Sequence, residues 1–124
     1  MDINRQKIGN DAETAVCAFL QKHGYKILKR NYHIRGGEVD IIAENDVYTA
    51  FVEVRARNSG GLMTGAESVY LPKRKRIIKT AVDFLSKNGT SKQVRFDVAE
   101  IVMHGGRIVK LNYIPNAFDS EGRI

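Results

Sequence analysis

The order of helical and strand patterns in the 124-residue sequence predicts an α/β sandwich, a mixed five-stranded sheet with helices on its faces. Two stretches, from about residue 5 or 10 to 23 and from 72 to 88, repeat apolar residues at helical spacing. Five others are rich in β-branched residues and end at turn residues, which gives the order α-β-β-β-α-β-β. No boundary or internal repeat is visible. We therefore expect residues 1–124 to form a single domain, with a flexible loop near 58–69 and a short C-terminal tail.

The composition indicates an anionic partner. Lysine and arginine number 20 against 14 acidic residues, for a net charge of +6. The single Cys17 excludes an internal disulfide and a cysteine-rich zinc site, which favours a reducing, cytoplasmic location. We expect no signal peptide and no membrane partner, because no apolar run approaches the roughly 18 residues of a membrane span.

The centre of the sequence reads as a β-hairpin whose two strands flank an Asn45-Asp46 turn. If these two residues form the loop, Asp40 lies opposite Phe51 and Glu38 lies opposite Glu53. One face then carries Glu38, Asp40, Ile42, Phe51, Glu53, Arg55 and Arg57. The other face carries the core set Val39, Ile41, Ala43, Ala50, Val52 and Val54.

In this register Asp40 and Glu53 are diagonal neighbours, roughly 7–8 Å apart at Cα, so both carboxylates can reach one ion. Three acids on one face, with Glu38 the third, repel one another unless a counter-charge is present. A bound divalent cation together with Arg55 would supply that counter-charge.

The second helix begins with a concentrated run of basic residues after the favourable N1 residue Pro72. The run consists of Lys73, Arg74, Lys75 and Arg76. Positive charge at the positive end of a helix dipole is destabilising, so a phosphate-binding face explains it better than a merely solvated face.

Several motifs of the sequence resemble those of known protein families. Gly37-Glu38-Val39-Asp40 and Phe51-Val52-Glu53-Val54-Arg55 resemble the D…ExK signature of the restriction-endonuclease-like nucleases, and more closely the uncharacterised YraN-like family of small bacterial proteins. The ordered matches to that family are Glu13, Gly37 to Asp40, Phe51 to Val54, Lys73, Arg95-Phe96-Asp97 and Ala117-Phe118. They cover nearly the whole chain. The sequence departs from the signature at Arg55, where a lysine is usual.

The resemblance implies a restriction-endonuclease-like fold and a Mg²⁺- or Mn²⁺-dependent nuclease, similar to the archaeal Holliday-junction resolvases, with DNA favoured over RNA and branched or structured DNA as one substrate class. Asp40, Glu53 and the carbonyl of Val54 would hold the metal. Glu13 would join or orient the metal shell. Its alternative role is structural, as the N3 residue of a capping box with Asn10.

Arg55 leaves the function open. Its guanidinium can stabilise developing charge but cannot shuttle a proton, so activity would be reduced or would require Lys73 to reach in from the second helix. The alternative is a nucleic-acid-binding module of the same fold that does not cleave. A third hypothesis is a partner-binding protein whose acidic cluster meets a basic surface. A homodimer is one option, because cutting two strands of a junction favours two-fold symmetry.

Overall fold

The computed structural model describes residues 3–60 and 69–124, with side chains from residue 7 onward, and within these ranges it contains two helices and five strands. The elements are α1 (Ile3–Lys22), β1 (Lys26–Ile34), β2 (Gly37–Glu44), β3 (Tyr48–Asn58), α2 (Leu71–Asn88), β4 (Gln93–His104) and β5 (Arg107–Phe118). This order confirms the predicted α-β-β-β-α-β-β arrangement. Neither helix of the described ranges is long and apolar enough to cross a membrane.

The five strands form one sheet in the order in which they occur in the chain. Neighbouring strands are antiparallel except β3 and β4, which are parallel, so the predicted mixed sheet is confirmed. A parallel pair requires a crossover connection, and α2 lies within that connection. The helix that carries the basic run packs mainly against β2 and, to a smaller extent, β1.

Each face of the sheet is covered by apolar residues of one helix. The α1 side contains Ala12, Val16, Leu20, Ile41, Val52 and Ile101. The α2 side contains Ile42, Phe51, Ile77, Ala81, Phe84, Phe96 and Val98. The hairpin is thus buried on both faces along the half that is nearer its turn. Asp40, Glu53 and Arg55 lie toward the opposite end.

The hairpin register differs from the prediction by two residues. Ile42 pairs with Phe51, and the two-residue loop consists of Asp46 and Val47. The cause is Asn45, whose side-chain Oδ1 accepts hydrogen bonds from the backbone N–H groups of Val47 and Tyr48 at 2.9 and 2.7 Å. A shift of two residues keeps every side chain on its predicted face.

The prediction of a capping box formed by Asn10 and Glu13 is wrong. α1 already begins at Ile3, so Asn10 lies inside the helix and Glu13 is not an N3 residue. The predicted end is right, because Gly24 follows the last turn with φ of +88°.

The buried face of α2 also differs from the prediction. The sequence predicted a buried set of Ile77, Ile78, Ala81, Val82 and Leu85. Ile77 and Ala81 are buried, and Ile78 and Leu85 pack partly buried against the same core. Phe84 is buried in addition, whereas Val82 is 60% exposed. The predicted flexible loop near 58–69 follows β3, which extends through Asn58. Residues 61–68 of that loop lie outside the described residues.

The sequence predicted that the last strand ends at Ile114 and that a tail follows from Pro115, but the strand is longer. β5 continues through Pro115 to Phe118, which is 2% exposed. The six residues that follow include Gly122, whose carbonyl accepts a hydrogen bond from Arg74 Nε at 2.8 Å.

Candidate active site

The β2–β3 ladder ends at the pair Ile41–Val52, and one residue further along the same register Asp40 lies opposite Glu53. Asp40 therefore faces Glu53 directly, where the sequence had predicted a diagonal neighbour. Asp40 Oδ2 accepts a hydrogen bond of 2.8 Å from the backbone N–H of Val54. This bond ties the first carboxylate to the strand that carries the second.

Glu53 is a buried carboxylate, only 2% exposed. Lys73 of α2 places its Nζ 2.8 Å from Glu53 Oε2. The contact is an ion pair without hydrogen-bond alignment, since Glu53 Oε2 has no hydrogen-bond partner among the described residues. A buried oxygen with unused acceptor capacity is suited to a cation or a donor from a ligand.

Burial raises the pKa of Asp40 to about 8, and the neighbouring Glu53 adds to the effect. The Val54 N–H and the Lys73 ammonium act in the opposite direction but are weaker. Near neutral pH the Asp40 carboxyl group therefore holds a proton beside Glu53. A cation bound between them would displace it.

Glu13 approaches from α1 and is the third acid. Its nearest cation is Arg30, at 3.6 Å, and its buried Oε1 has no hydrogen-bond partner in the described part of the chain. Burial raises the pKa of Glu13, with a further contribution from Asp40, so the two acids are electrostatically coupled. However, the described residues contain no cluster of three or more His, Cys, Asp or Glu side chains arranged to hold a metal.

The two carboxylates open into a cleft of about 690 Å³ between the hairpin and α2. Its lining includes His33, Gly36, Gly37, Glu38, Asp40, Glu53, Arg55, Tyr70, Lys73, Arg76 and Ile77. Buried acids at its base and cations along its walls are the arrangement expected for an anion held next to a metal.

The four basic residues at the start of α2 have different surroundings. Lys73 pairs with Glu53, and Lys75 is exposed. Arg74 turns inward, because its guanidinium donates to the backbone carbonyls of Val69 and Gly122. The run is therefore not one uniform phosphate-binding face.

Arg76, the last residue of the basic run, lies on the cleft wall beside Tyr70. Arg76 Nη2 donates a hydrogen bond of 3.1 Å to the Tyr70 hydroxyl. This bond lowers the pKa of Tyr70.

The close approach of α2 to β2 depends on Gly37. A Cβ atom at this position would lie 2.2 Å from Thr80 Oγ1 and 2.8 Å from the Arg76 carbonyl oxygen. Only glycine allows the helix to lie this close to the strand that carries Asp40.

Comparison with known proteins identifies the family. The family model described as uncharacterised protein family UPF0102 matches residues 12–101, which include the hairpin and α2. The chain belongs to the UPF0102 family. This confirms the YraN-like resemblance of the sequence.

Several UPF0102 relatives match along nearly their whole length. The UPF0102 protein of Persephonella marina is 41% identical over 114 residues, which is 91% of this chain and 94% of the relative. The UPF0102 proteins of Geobacter metallireducens and Anaeromyxobacter dehalogenans are each 36% identical over 120 residues, which is 96% of this chain and 98% or 89% of the relative.

Two site residues of this UPF0102 chain were missed by sequence reasoning. Tyr70 stands two residues before Pro72, so the sequence already showed an aromatic residue next to the start of the basic helix. The packing role of Gly37 was not, because turn glycines and close-approach glycines look alike in a sequence. Asp40, Glu53, Arg55 and Lys73 line the same cleft, whereas Glu13 is not among its lining residues.

Proposed function

We propose that this chain is a metal-dependent nuclease that hydrolyses phosphodiester bonds in DNA. The observation that carries the proposal is the juxtaposition of two carboxylates, Asp40 and Glu53, with the ammonium of Lys73 at the base of one cleft. An acid pair alone is common in proteins. An acid pair that is buried at the base of a cleft and faces cations from two other positions is suited to phosphoryl chemistry.

The donor set fits a hard divalent cation. Asp40 and Glu53 supply carboxylate oxygens, and Mg²⁺ is usually held by one or two carboxylates while it keeps several waters. Asp40, Glu53 and the Val54 carbonyl would hold Mg²⁺ or Mn²⁺, with Glu13 orienting them from α1. When bound, the cation would polarise the phosphodiester and lower the pKa of an attacking water.

The chain's own residues bind and orient the phosphate. Lys73 lies against Glu53 and can neutralise one phosphate oxygen. Arg55 lines the cleft two residues after Glu53, and its fixed charge stabilises the anionic transition state without accepting a proton. Arg76 adds a planar guanidinium on the same wall.

Isothermal titration calorimetry with Mn²⁺ or Mg²⁺ tests the metal site directly. Wild type should bind weakly, and Glu53→Gln should abolish binding because it removes a charged ligand. Glu44→Gln is the matched control, since Glu44 lies on the same hairpin at the turn end. Equal affinity in wild type and Glu53→Gln would rule out the site.

A panel of single-stranded, duplex and branched DNA, incubated with Mg²⁺, tests the chemistry. Products that depend on Glu53 and on the metal are expected. The substitution at Arg55 keeps a second candidate function in view, a nucleic-acid-binding module that does not cleave. In that case DNA binding would need no metal and would weaken steeply with salt.

A further inference from the structure

Tyr70 is an exposed aromatic ring at the rim of the cleft. It is 58% exposed and is the only aromatic among the large exposed apolar side chains of residues 7–60 and 69–124. It lines the same cleft as Glu53 and Lys73. An aromatic ring left in water beside a cationic cleft has no role in the packing of the core.

The backbone at Tyr70 is fixed on both sides. Val69, just before it, is fully buried, and Pro72 sits in the first turn of α2. The Tyr70 carbonyl accepts hydrogen bonds from the N–H groups of Lys73 and Arg74 at 3.0 and 3.1 Å. The ring is thus held on a rigid support, which reduces the entropy cost of binding a partner against it.

Arg76 adds a second planar group. Its Cζ lies 5.8 Å from the centroid of the Tyr70 ring, and its Nη2 is hydrogen-bonded to the Tyr70 hydroxyl. Aromatic rings and guanidinium planes are the two side-chain groups on which unstacked nucleobases stack. Because Lys73 contacts Glu53 and lines the same cleft as this pair, a strand whose phosphate contacts Lys73 could place a neighbouring base here.

We propose that Tyr70 is a stacking platform for an unpaired nucleobase, so that the substrate class of the cleft is a nucleic acid strand with an unpaired base next to the bound phosphate. The position of that phosphate rests on the proposed function. Bases within an intact duplex already stack on their neighbours, so only a single-stranded, flapped or branch-point base offers a free face. Little base preference follows, because every base has a π-face.

The test compares a single-stranded oligonucleotide that contains 2-aminopurine with the duplex of the same sequence, both in EDTA. Quenching of 2-aminopurine fluorescence reports stacking, and anisotropy reports affinity. Tyr70→Ala should weaken single-strand binding roughly 5- to 100-fold and remove the quenching, with little change for the duplex. Tyr70→Phe should keep both signals, since it retains the ring and loses only the hydroxyl. Val109→Ala, an exposed apolar residue of β5, is the control.

Equal weakening of single-strand and duplex binding by Tyr70→Ala would overturn the inference, as would unaltered quenching or no binding of single strands by wild type. The experiment contains no divalent metal, so it does not depend on cleavage. Tyr70-dependent quenching in a chain that never cleaves with Mg²⁺ would refute the nuclease proposal alone. Cleavage that is indifferent to Tyr70→Ala on every substrate would refute the stacking inference alone.

Discussion

Lys73 Nζ lies 2.8 Å from Glu53 Oε2, although the two residues belong to α2 and β3. In the signature that the hairpin resembles, the lysine belongs to the strand, at the position that Arg55 occupies here. The signature's strand lysine is missing here, but α2 places the ammonium group of Lys73 beside Glu53. Lys73 is therefore positioned to replace that lysine.

Lys73→Met tests whether the helix lysine replaces the strand lysine. We expect Mg²⁺-dependent cleavage to fall by about 10²-fold or more, because a charge aimed at the transition state is lost. Metal affinity should rise in the same variant, because a competing cation leaves Glu53. Lys79→Met, at an exposed position of the same helix, is the matched control. A variant with normal cleavage would show that Lys73 serves only the fold.

Arg55 is the second cation to test. Arg55→Lys restores the residue of the signature and should increase Mg²⁺-dependent cleavage on the DNA panel, since an amine of suitable pKa can take part in proton transfer. Arg55→Ala should lose the cleavage that wild type has. If neither wild type nor Arg55→Lys cleaves any substrate while both bind DNA, the binding-module reading stands.

Asp40 makes stability depend on pH in the metal-free protein. Its pKa in the folded state, about 8, lies above the ordinary value of 3.8, so the folded chain holds a proton that the unfolded chain releases. The stability of wild type should therefore fall as pH rises from about 4 to 8 and level off above that.

Asp40→Asn should remove this slope and raise the free energy of unfolding at pH 8 by about 1–3 kcal/mol, while it abolishes metal binding. Urea denaturation in EDTA at several pH values measures both curves. Parallel curves for variant and wild type would contradict the assignment of the proton to Asp40.

Gly37→Ala should separate α2 from β2. The new methyl group would meet Thr80 Oγ1 at 2.2 Å and the Arg76 carbonyl oxygen at 2.8 Å, so we expect a loss of about 1–3 kcal/mol of stability. Thr80→Ala in the same chain should recover only part of the loss, because the backbone contact remains. Gly9→Ala is the control in open space within α1 and should stabilise by up to about 1 kcal/mol. Thermal denaturation distinguishes the three variants.

The salt dependence of DNA binding tests the basic run. Neutralising two phosphate-contacting cations, as in Lys75→Gln with Arg76→Gln, should flatten the slope of log affinity against log salt by roughly two units on duplex DNA. Arg74→Gln should instead lower the melting temperature and leave the slope near that of wild type, because Arg74 donates to backbone carbonyls. An unchanged slope in the double variant would mean that this surface is only solvated.

The alternation of the central hairpin was sufficient to assign its faces, since strand parity survives a shift of two residues. It was not sufficient for the register. The register depends on which backbone N–H groups donate hydrogen bonds to the Asn45 side chain. The turn motif in the sequence does not specify those groups. Direct opposition of Asp40 and Glu53 followed from that local detail.

The face of α2 shows a different limit. Ile77, Ala81 and Phe84 form one stripe at helical spacing, and Ile78, Val82 and Leu85 form another directly beside it. Periodicity alone does not choose between adjacent stripes. The packing against Phe51 and Phe96 buries the first stripe, whereas Ile78 and Leu85 of the second are only partly buried against the same core. The Lys73–Glu53 pair depends on that choice, because the rotation of the helix sets where its basic residues point.

A site divided between a sheet and a helix exists only while the two are docked. If α2 opened locally, Glu53 would lose its ammonium neighbour and Asp40 would meet water, although the strands could remain paired. The free energy of that opening, rather than of global unfolding, would then set the fraction of molecules with an assembled site. Heating should therefore diminish activity before the sheet melts, and hydrogen exchange along α2 should rise over the same temperature range.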